Sequence, residues 1–210
     1  MTWHLDLDDE PMMTNAEILE PLARLRKEEI VVTSMSTVRP WGRLSDHDLD
    51  FASADSAMGH TADLALGLAL AQPGRRVVCL NGDGSMMMTL GTLATIVESG
   101  AENLILFVID NGTYEITGSQ KVPGAGVVKW AEIAAAVGFP RTYRFEDAAE
   151  YAEQLEEVLD GDGPVFVQVR VERGNARPIS RSQIEEARYL KTSLADWSRR
   201  MRATLTEEKS

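Results

Sequence analysis

The sequence predicts an α/β fold, in which an open and mostly parallel sheet carries helices on both faces. Short β-branched segments alternate along the chain with longer segments of helical pattern. One short segment, 104–109, is apolar throughout, which is typical of a strand buried on both faces of a parallel sheet. The length of 210 residues and the apolar fraction of 44% fit one compact domain with a sizeable core.

The predicted elements follow one another in an alternating order. Strands are expected at 30–33, 77–80, 104–109 and 165–169. Helices are expected at 15–26, 61–71, 86–99, 130–137 and 148–159, and along the charged tail 180–205. Asn15 and Asp147 are the predicted N-caps of the first helix and of the helix at 148–159. Two segments are predicted as irregular: 34–51, which a proline and a glycine interrupt, and the glycine-rich 111–127.

The composition limits the classes of partner and the compartment. The formal net charge of −12 argues against nucleic acid or an anionic membrane as a partner. Cys79 is the single cysteine and lies in an apolar segment, which predicts a buried thiol in a reducing compartment. The first residues are acidic and unlike a secretory signal, and no apolar run approaches about 18 residues. We therefore expect a cytoplasmic protein without a membrane-spanning segment.

Two polar motifs directly follow two of the predicted strands. Gly82-Asp83-Gly84-Ser85 comes after one strand, and Asp110-Asn111-Gly112 comes after the next. The 28 positions between Asp83 and Asn111 leave room for one helix and one returning strand. Both motifs, together with Ser34 after the first strand, are therefore expected at the carboxyl edge of the sheet, where α/β proteins bind ligands.

The residue types in these motifs predict a divalent cation and a diphosphate. Glycines at 82 and 84 allow the backbone to approach a ligand closely, and the N–H groups that follow them at a helix start favour an anion. A carboxylate at Asp83 would repel a bare phosphate, so its position calls for a Mg²⁺ ion between the two groups. The amide oxygen of Asn111 and a backbone carbonyl near Thr113 are oxygen donors that suit the same ion.

The Gly-Asp-Gly to Asn pattern resembles the signature of thiamine-diphosphate enzymes. Wider stretches at 57–70, 81–90 and 110–120 are similar to the small diphosphate-binding (beta) chains of the sulfopyruvate and phosphonopyruvate decarboxylase group. The likeness covers residues 28–172, about two thirds of the chain. It implies the thiamine-diphosphate-binding fold, with a diphosphate-binding (PP) domain at 1–179, and it implies thiamine diphosphate and Mg²⁺ as cofactors.

The resemblance also implies a set of site residues. The implied metal ligands are Asp83, Asn111 and the carbonyl of Thr113. The implied cofactor contacts are Ser56, Met58, Gly59, Gly82, Gly84, Ser85, Asn111 and Tyr114. Within this set, Met58 matches the bulky apolar residue that supports the bent cofactor, and the carbonyl of Ser56 matches the acceptor for its aminopyrimidine group.

The catalytic residues of this chain stay unassigned. His60, Glu115 and Thr117 are candidates because they lie next to the cofactor motifs, but a capping or core position for His60 and a solvated side chain for Glu115 stay open. The resemblance places the activating glutamate in a separate pyrimidine-binding domain. Because the chain is too short to hold both domains, we expect a pyrimidine-domain (alpha) subunit as partner, in a hetero-oligomer such as α₂β₂.

The reaction that the resemblance implies is the decarboxylation of a small-molecule 2-oxo acid to an aldehyde and CO₂. A subunit of a split carboligase or synthase and a noncatalytic cofactor-binding subunit are the alternatives. Arg39, Arg43 and Lys121 are candidate contacts for a sulfonate or phosphonate group, although such residues are also typical of a charged surface. Residues 33–36 depart from the Thr-Gly turn expected in this group. The charged tail 180–210 is expected to pack on the partner or to remain solvated.

Overall fold

The computed structural model describes residues 12–52 and 58–207, and this part of the chain is built around one parallel sheet. The strands are, in chain order, β1 (Ile30–Thr33), β2 (Asp50–Ala52), β3 (Val77–Gly82), β4 (Leu104–Asp110), β5 (Thr113–Tyr114), β6 (Gln120–Lys121), β7 (Arg141–Phe145) and β8 (Val165–Arg170). Six of them form the sheet in the order β2-β1-β3-β4-β8-β7, and every neighbouring pair is parallel. β5 and β6 form a small antiparallel hairpin.

Helices cover both sides of this sheet. They are, in chain order, α1 (Asn15–Leu25), α2 (Val38–Leu44), α3 (Thr61–Ala71), α4 (Asp83–Met88), α5 (Thr92–Ser99), α6 (Trp130–Val137), α7 (Ala148–Asp160), α8 (Arg188–Lys191) and α9 (Leu194–Glu207). Contacts join α3, α5 and α6 into one group and α1, α2 and α7 into another, as expected for one layer on each face. The predicted α/β class is therefore confirmed. Within the described ranges, no helix has the length and apolar character needed to cross a membrane.

The two central strands explain how the apolar runs of the sequence form the core. β3 and β4 pair along their whole length, and their apolar side chains are buried. Cys79, in the middle of β3, is fully buried, and burial raises the pKa of its thiol well above the usual range. Burial becomes partial at Gly82 and Asp110, where the two strands reach the carboxyl edge of the sheet.

The order of the strands creates a crevice at that edge. β1 and β3 are neighbours in the sheet, but the chain continues from them in opposite directions: from β1 to β2 toward one edge of the sheet, and from β3 to β4 toward the other. The loops after β1 and β3 therefore diverge, and open α/β sheets bind ligands at such a point. The motifs around Ser34, Asp83 and Asn111 all lie at this edge, as their positions after the strands predict.

The segment 34–51, predicted as irregular, contains helix α2. Val38 and Trp41, three positions apart, are fully buried and form the inner side of this helix. Pro40 lies in the first turn, where backbone N–H groups have no intrahelical acceptor, so its missing N–H costs no hydrogen bond. Gly42 packs so closely that a Cβ there would lie 2.2 Å from Cβ of Ala187. The prediction is wrong because a proline in the first turn and a glycine in a tight contact do not interrupt a helix.

The single helix predicted at 86–99 is two helices in the structure. α4 already begins at Asp83, and α5 begins only at Thr92. Between them Thr89 leaves the helical conformation, with φ −135° and ψ 47°, and its hydroxyl donates a hydrogen bond to the carbonyl of Gly59. The break therefore depends on a contact with a residue about 30 positions away, which the local pattern does not contain.

The two predicted helix caps have different outcomes. Asp147 caps α7, because its Oδ1 accepts hydrogen bonds from two backbone N–H groups of the first turn. The cap of α1 is Thr14 rather than Asn15. The hydroxyl of Thr14 accepts from the N–H of Glu17, and the carboxylate of Glu17 accepts from the N–H of Thr14. This reciprocal pair satisfies two backbone donors, which explains why the cap precedes Asn15.

The C-terminal tail is only partly helical, and its apolar side belongs to the core of this chain. Its first residues, 180–187, are not helical, so the predicted helix is wrong over that stretch. Trp197 of α9 is 1% exposed, and its Nε1 donates a 2.7 Å hydrogen bond to the carbonyl of Asp50. Met201 and Leu205 follow at helical spacing and are also buried. The opposite side of α9 is charged and exposed, so the packing of that side on a partner stays a prediction.

Candidate functional site

A cleft opens at the carboxyl edge of the sheet, beside the ends of β3 and β4. Four separate segments of the sequence contribute its walls. The predicted site residues that line it are Met58, Gly82, Asp83, Gly84, Ser85, Asn111, Thr113, Tyr114, Glu115 and Thr117. Met35, Ser36, Ile109 and Ile116 complete the lining. Ser56, another predicted contact, lies outside the residues that the structure describes.

Two glycines shape the floor of this cleft. β3 ends at Gly82 and α4 begins at the next residue, so that strand and helix are joined without a loop. A Cβ at Gly84 would lie 2.5 Å from Cε1 of Tyr114 and 3.1 Å from Cγ2 of Val122, which requires glycine for lack of space. A Cβ at Gly82 would meet no atom within 4 Å. The backbone is therefore tightly packed on one side and open to a ligand on the other.

Asp83 is a buried carboxyl group that no described Lys, Arg or His residue pairs with. It is 3% exposed, and its Oδ2 accepts a 3.0 Å hydrogen bond from the N–H of Gly112. Burial and the adjacent Asp110 raise the pKa of the Asp83 carboxyl to about 7. Burial also raises the pKa of Asp110. A 3.0 Å hydrogen bond from Nε2 of Gln168 to its carboxyl group lowers that pKa and partly offsets the effect of burial. A divalent cation would relieve the crowding of these two carboxyl groups.

The side chain of Asn111 is held at both of its polar ends. Its Oδ1 accepts from the N–H of Thr113 at 2.9 Å, which closes a local turn after β4. Its Nδ2 donates to Oε2 of Glu115 at 2.8 Å. Gly112, between the two ends of this turn, has φ +68°, a conformation that favours glycine. The amide oxygen and the amide nitrogen of Asn111 therefore have defined and opposite directions.

The donor set fits a hard divalent cation. The carboxylate of Asp83, the amide oxygen of Asn111 and the backbone carbonyl of Thr113 are all oxygen donors. Within the described part of the chain, no three His, Cys, Asp or Glu side chains gather into a metal-binding cluster. A metal ion at this edge would therefore depend on one carboxylate with amide and carbonyl oxygens. Such a sparse set suits Mg²⁺, which commonly completes its shell with phosphate oxygens and water.

The turn at residues 58–60 is fastened to helix α4. Gly59 has φ +94°, and its N–H donates a 3.0 Å hydrogen bond to Oγ of Ser85. This contact brings Met58 to the wall of the cleft. His60 precedes α3 at its N-cap position, outside the lining of the cleft; its side chain is 70% exposed, and its Nδ1 lies 2.9 Å from Oδ2 of Asp63. A core position for His60 is therefore wrong, and its contact with a bound group stays a prediction.

Glu115 and Thr117 differ sharply in exposure. Glu115 is only 7% exposed, so a solvated side chain at this position is wrong. Its burial depends on a segment about 60 positions later in the chain. Oε1 of Glu115 accepts a 2.6 Å hydrogen bond from the N–H of Ala176 in that segment. Thr117 is exposed, and its hydroxyl lies 3.1 Å from Oε1 of Gln120 within the same loop.

Arg39 is engaged in hydrogen bonds within the chain. Its guanidinium donates to both carboxylate oxygens of Glu185, at 2.9 and 2.6 Å. It also donates to the carbonyls of Arg177 and Pro178, at 2.7 and 2.9 Å. These bonds use most of its donors to fasten the C-terminal segment, and Arg39 lines a cavity beside the cleft, so its contact with a sulfonate or phosphonate group stays a prediction. The spacing of 146 residues between Arg39 and Glu185 explains why the sequence did not reveal this pair.

The other two candidate cations are exposed. Arg43 forms an ion pair with Glu186, and the side chains are 56% and 68% exposed. Lys121 is exposed on the short strand β6. Neither residue lines the cleft, although Arg43 lines a neighbouring cavity, so the contact of either residue with a bound group stays a prediction.

A second cavity of about 520 Å³ adjoins the cleft. It lies between α2 and the segment 174–179. The two cavities share Met35, Ser36, Glu115 and Ile116 as lining residues. Met35 has φ +47°, which is uncommon for a residue with a side chain, at the place where the sequence departs from a Thr-Gly turn. The sequence did not predict Met35 and Ser36 as site residues. Their position after β1, where the loops diverge, is nevertheless a place where open α/β sheets bind ligands.

A profile of the family described as "Thiamine pyrophosphate enzyme, C-terminal TPP binding domain" matches residues 43–169. The chain is 37% identical over 166 residues to the sulfopyruvate decarboxylase subunit beta of Methanothermobacter thermautotrophicus. This alignment covers 79% of this chain and 85% of that subunit. It is 34% identical over 186 residues to the phosphonopyruvate decarboxylase of Streptomyces viridochromogenes, covering 88% of this chain but 44% of that one.

Solved structures show the same fold. The thiamine diphosphate-dependent 4-hydroxybenzoylformate decarboxylase of Rhodococcus jostii RHA1 superposes with a TM-score of 0.66 at 20% identity. The match covers 81% of this chain and 34% of that one, so the chain corresponds to about a third of the larger protein. The family match covers more than half of the 210 residues and includes both polar motifs at the carboxyl edge. The chain therefore belongs to the thiamine pyrophosphate enzymes and contains their C-terminal TPP binding domain.

Proposed function

We propose that this chain is the diphosphate- and Mg²⁺-binding subunit of a two-chain thiamine-diphosphate-dependent 2-oxo acid decarboxylase. The observation that carries the proposal is the buried Asp83, which lies beside Asp110 and lines the same cleft as the fixed amide of Asn111. Two crowded carboxyl groups next to oriented oxygen donors favour a bound cation, and the adjoining Gly82 leaves open space for a ligand.

The residues of the cleft have distinct roles in this proposal. Asp83, Asn111 and the carbonyl of Thr113 hold Mg²⁺. The backbone N–H groups of Gly84 and Ser85 bind the diphosphate, and Tyr114 packs against the turn that carries them. These groups fix the orientation of the bound molecule rather than react with the substrate.

The remaining contacts support the organic part of the cofactor. When bound, thiamine diphosphate supplies the electron sink that allows a 2-oxo acid to lose CO₂. Met58, unbranched and polarisable, supports the bent molecule from the wall of the cleft. Gly59 holds this turn on α4 through its hydrogen bond to Ser85. The carbonyl of Ser56 is the acceptor that we propose for the aminopyrimidine.

The two-chain arrangement is supported by the relatives. The Methanothermobacter protein is named as a subunit, and the alignment covers 85% of it. The Streptomyces protein is covered to only 44%, so more than half of that chain has no counterpart here. We infer that the activating glutamate and the rest of the pyrimidine pocket belong to a separate alpha subunit, in a complex such as α₂β₂ located in the cytoplasm.

The substitution Asp83→Asn tests the proposed site, because it keeps the size of the side chain and removes its charge. We expect the affinity of the complex for Mg²⁺ at saturating thiamine diphosphate to fall by at least about 100-fold, the upper end of the losses seen when outer metal-site partners are removed. Isothermal titration calorimetry measures this affinity. Asp162→Asn is the matched control, since Asp162 is exposed in the turn before β8, at the opposite edge of the sheet.

The reaction is tested by product analysis of the wild-type complex. We expect CO₂ and an aldehyde from a 2-oxo acid such as sulfopyruvate or phosphonopyruvate, with no change when an acceptor aldehyde is added. A coupled product in the presence of the acceptor would identify a carboligase instead. Equal Mg²⁺ affinity in Asp83→Asn and in the control would contradict the metal site.

A further inference from the structure

We propose that Glu115 is a positioning residue of the metal site, which orients the amide of Asn111 and links that orientation to the segment 174–178. The proposal rests on the proposed function, because it assigns Mg²⁺ to the oxygen of Asn111. It concerns a side chain that lines both the cleft and the neighbouring cavity.

The burial of Glu115 is the first step. The residue is 7% exposed, and among the described residues no Lys, Arg or His forms an ion pair with it. A buried carboxylate is unfavourable unless its oxygens accept hydrogen bonds. Two neutral donors do this here: Nδ2 of Asn111 reaches Oε2 at 2.8 Å, and the N–H of Ala176 reaches Oε1 at 2.6 Å. Each oxygen therefore has its own partner.

The chemistry of the first contact selects one orientation of Asn111. A carboxamide has a donor end and an acceptor end, whereas an ionised carboxylate can only accept. A flipped Asn111 would place its Oδ1 against Oε2 of Glu115, with two acceptors facing each other. Together with the N–H of Thr113, which donates to Oδ1 at 2.9 Å, Glu115 therefore keeps the Asn111 nitrogen on its own side and leaves the oxygen for the side on which we place Mg²⁺.

The second contact extends this effect to the segment 174–178. A Cβ at Gly174 would lie 2.6 Å from Oε1 of Glu115, so this segment packs directly on the carboxylate. Arg39 binds the carbonyls of residues 177 and 178 from the other side. The segment is thus held between Arg39 and Glu115, and a change in its position would reach Asn111 through one side chain.

The substitution Glu115→Gln tests the orienting role in the complex. Glutamine has one acceptor end and one donor end, so it cannot accept from Asn111 and Ala176 on separate oxygens. We expect the dissociation constant of Mg²⁺, measured by calorimetry at saturating thiamine diphosphate, to rise by about 10–100-fold, as for other partners that orient a metal ligand. The KM for the 2-oxo acid at saturating Mg²⁺ should stay at the wild-type value.

Exchanging the two groups separates orientation from simple packing. In the double variant Asn111→Asp with Glu115→Gln, the introduced glutamine can donate to the introduced carboxylate and still accept from the N–H of Ala176. We expect Mg²⁺ affinity to recover toward the wild-type value, because a carboxylate offers oxygen at either end. A purely structural loss at position 115 would not be repaired by this second change, and absence of recovery would contradict the proposal.

Gly174→Ala provides a second variant if Glu115→Gln does not fold. It leaves Glu115 in place but adds a methyl group that displaces Oε1, so it should also weaken Mg²⁺ binding. Gly67→Ala is its matched control, since a Cβ there would meet no atom within 4 Å. We expect Mg²⁺ affinity to be unchanged in Gly67→Ala.

Hydrogen exchange of the metal-free full chain gives a readout that does not depend on cofactor binding. In Glu115→Gln, faster exchange is expected at Ala176. Wild-type protein that binds neither Mg²⁺ nor thiamine diphosphate would contradict the proposed function and this inference together. Wild-type protein that binds both, with the same Mg²⁺ affinity in Glu115→Gln and Gly174→Ala, would contradict this inference alone.

Discussion

Two buried aspartates, Asp50 at the edge of the sheet and Asp83 in the cleft, show opposite ways of placing a charge inside this domain. Asp50 is fully buried, and its carboxylate lies 3.3 Å from Nη2 of Arg26. It also accepts from Nε1 of Trp41 at 3.0 Å and from the hydroxyl of Ser45 at 2.6 Å. This carboxylate therefore has both a counter-charge and a set of donors within its own chain.

Asp83 has no such counter-charge. Its neighbour is another carboxyl group, Asp110, and its donors are backbone N–H groups. In a buried ion pair each charge compensates the other, so that removing either partner destabilises the fold. A buried carboxylate without a counter-ion instead needs a proton or an external cation. The difference separates a structural group from a ligand-binding group, and it can be tested by substitution.

The largest effect is expected for Asp50→Ala. The change leaves the buried guanidinium of Arg26, which is 6% exposed, without its carboxylate. Removing one partner of a buried ion pair typically costs about 3–5 kcal/mol in the free energy of unfolding. Urea denaturation of the metal-free protein measures the loss. The exposed Asp162→Ala is the control, expected to lie within about 0.5 kcal/mol of wild type. Similar values for the two variants would contradict the structural role of Asp50.

An intermediate effect is expected from the pH dependence of stability. In the metal-free protein, burial raises the pKa of Asp83 from its ordinary 3.8 to about 7. The native state therefore keeps a proton that the unfolded state has already released, and stability falls as the pH rises from about 4 to about 7. Asp83→Asn removes this contribution, so the variant should lose less stability over that range.

The measurement is urea denaturation of wild type and Asp83→Asn at a series of pH values in the presence of a chelator. Burial also raises the pKa of Asp110, so the stability of the variant should still fall with rising pH, but with a smaller slope than in the wild type. At pH 8 we expect Asp83→Asn to be more stable than wild type. Parallel curves for the two proteins would show that Asp83 is not the strained group that the comparison with Asp50 requires.

The smallest effect is expected for a pair of glycine substitutions that compares packing in the two regions. Gly84→Ala forces a methyl group against the ring of Tyr114 and should cost about 1–3 kcal/mol, as overpacking usually does. Gly67→Ala, at an open helical position in α3, should add about 0.5–1 kcal/mol. Thermal unfolding of the metal-free variants measures both. Equal shifts would mean that the floor of the cleft tolerates a side chain.

Local pattern was sufficient for the positions of the polar motifs. The apolar runs of β3 and β4 define where those strands end, and the residues that follow each run must lie at the carboxyl edge of a parallel sheet. This is why Asp83 and Asn111 were predicted to meet although 28 positions separate them. The family resemblance rests on the same residues and is confirmed by the family match.

Local pattern was insufficient wherever a side chain has a partner far along the chain. Glu115 looks like a loop residue until the segment at 174–178 covers it. Arg39 looks like a free cation until Glu185 pairs with it. Helix α2 looks like an irregular segment because the contact that explains Gly42 comes from Ala187. In each case the deciding contact joins residues more than 60 positions apart.

The sequence by itself determined the α/β class, the order along the chain of the four central strands β1, β3, β4 and β8, and the two motifs that meet at the cleft. These features follow from hydrophobic periodicity and from the geometry of parallel strands, which act over short distances. Only the tertiary structure decided that Asp83 is crowded by Asp110 and that Glu115 is buried against Asn111. The physical reason is that burial and pairing depend on which segments pack together, and the free energy of a charged group is set by those neighbours rather than by its own residue type.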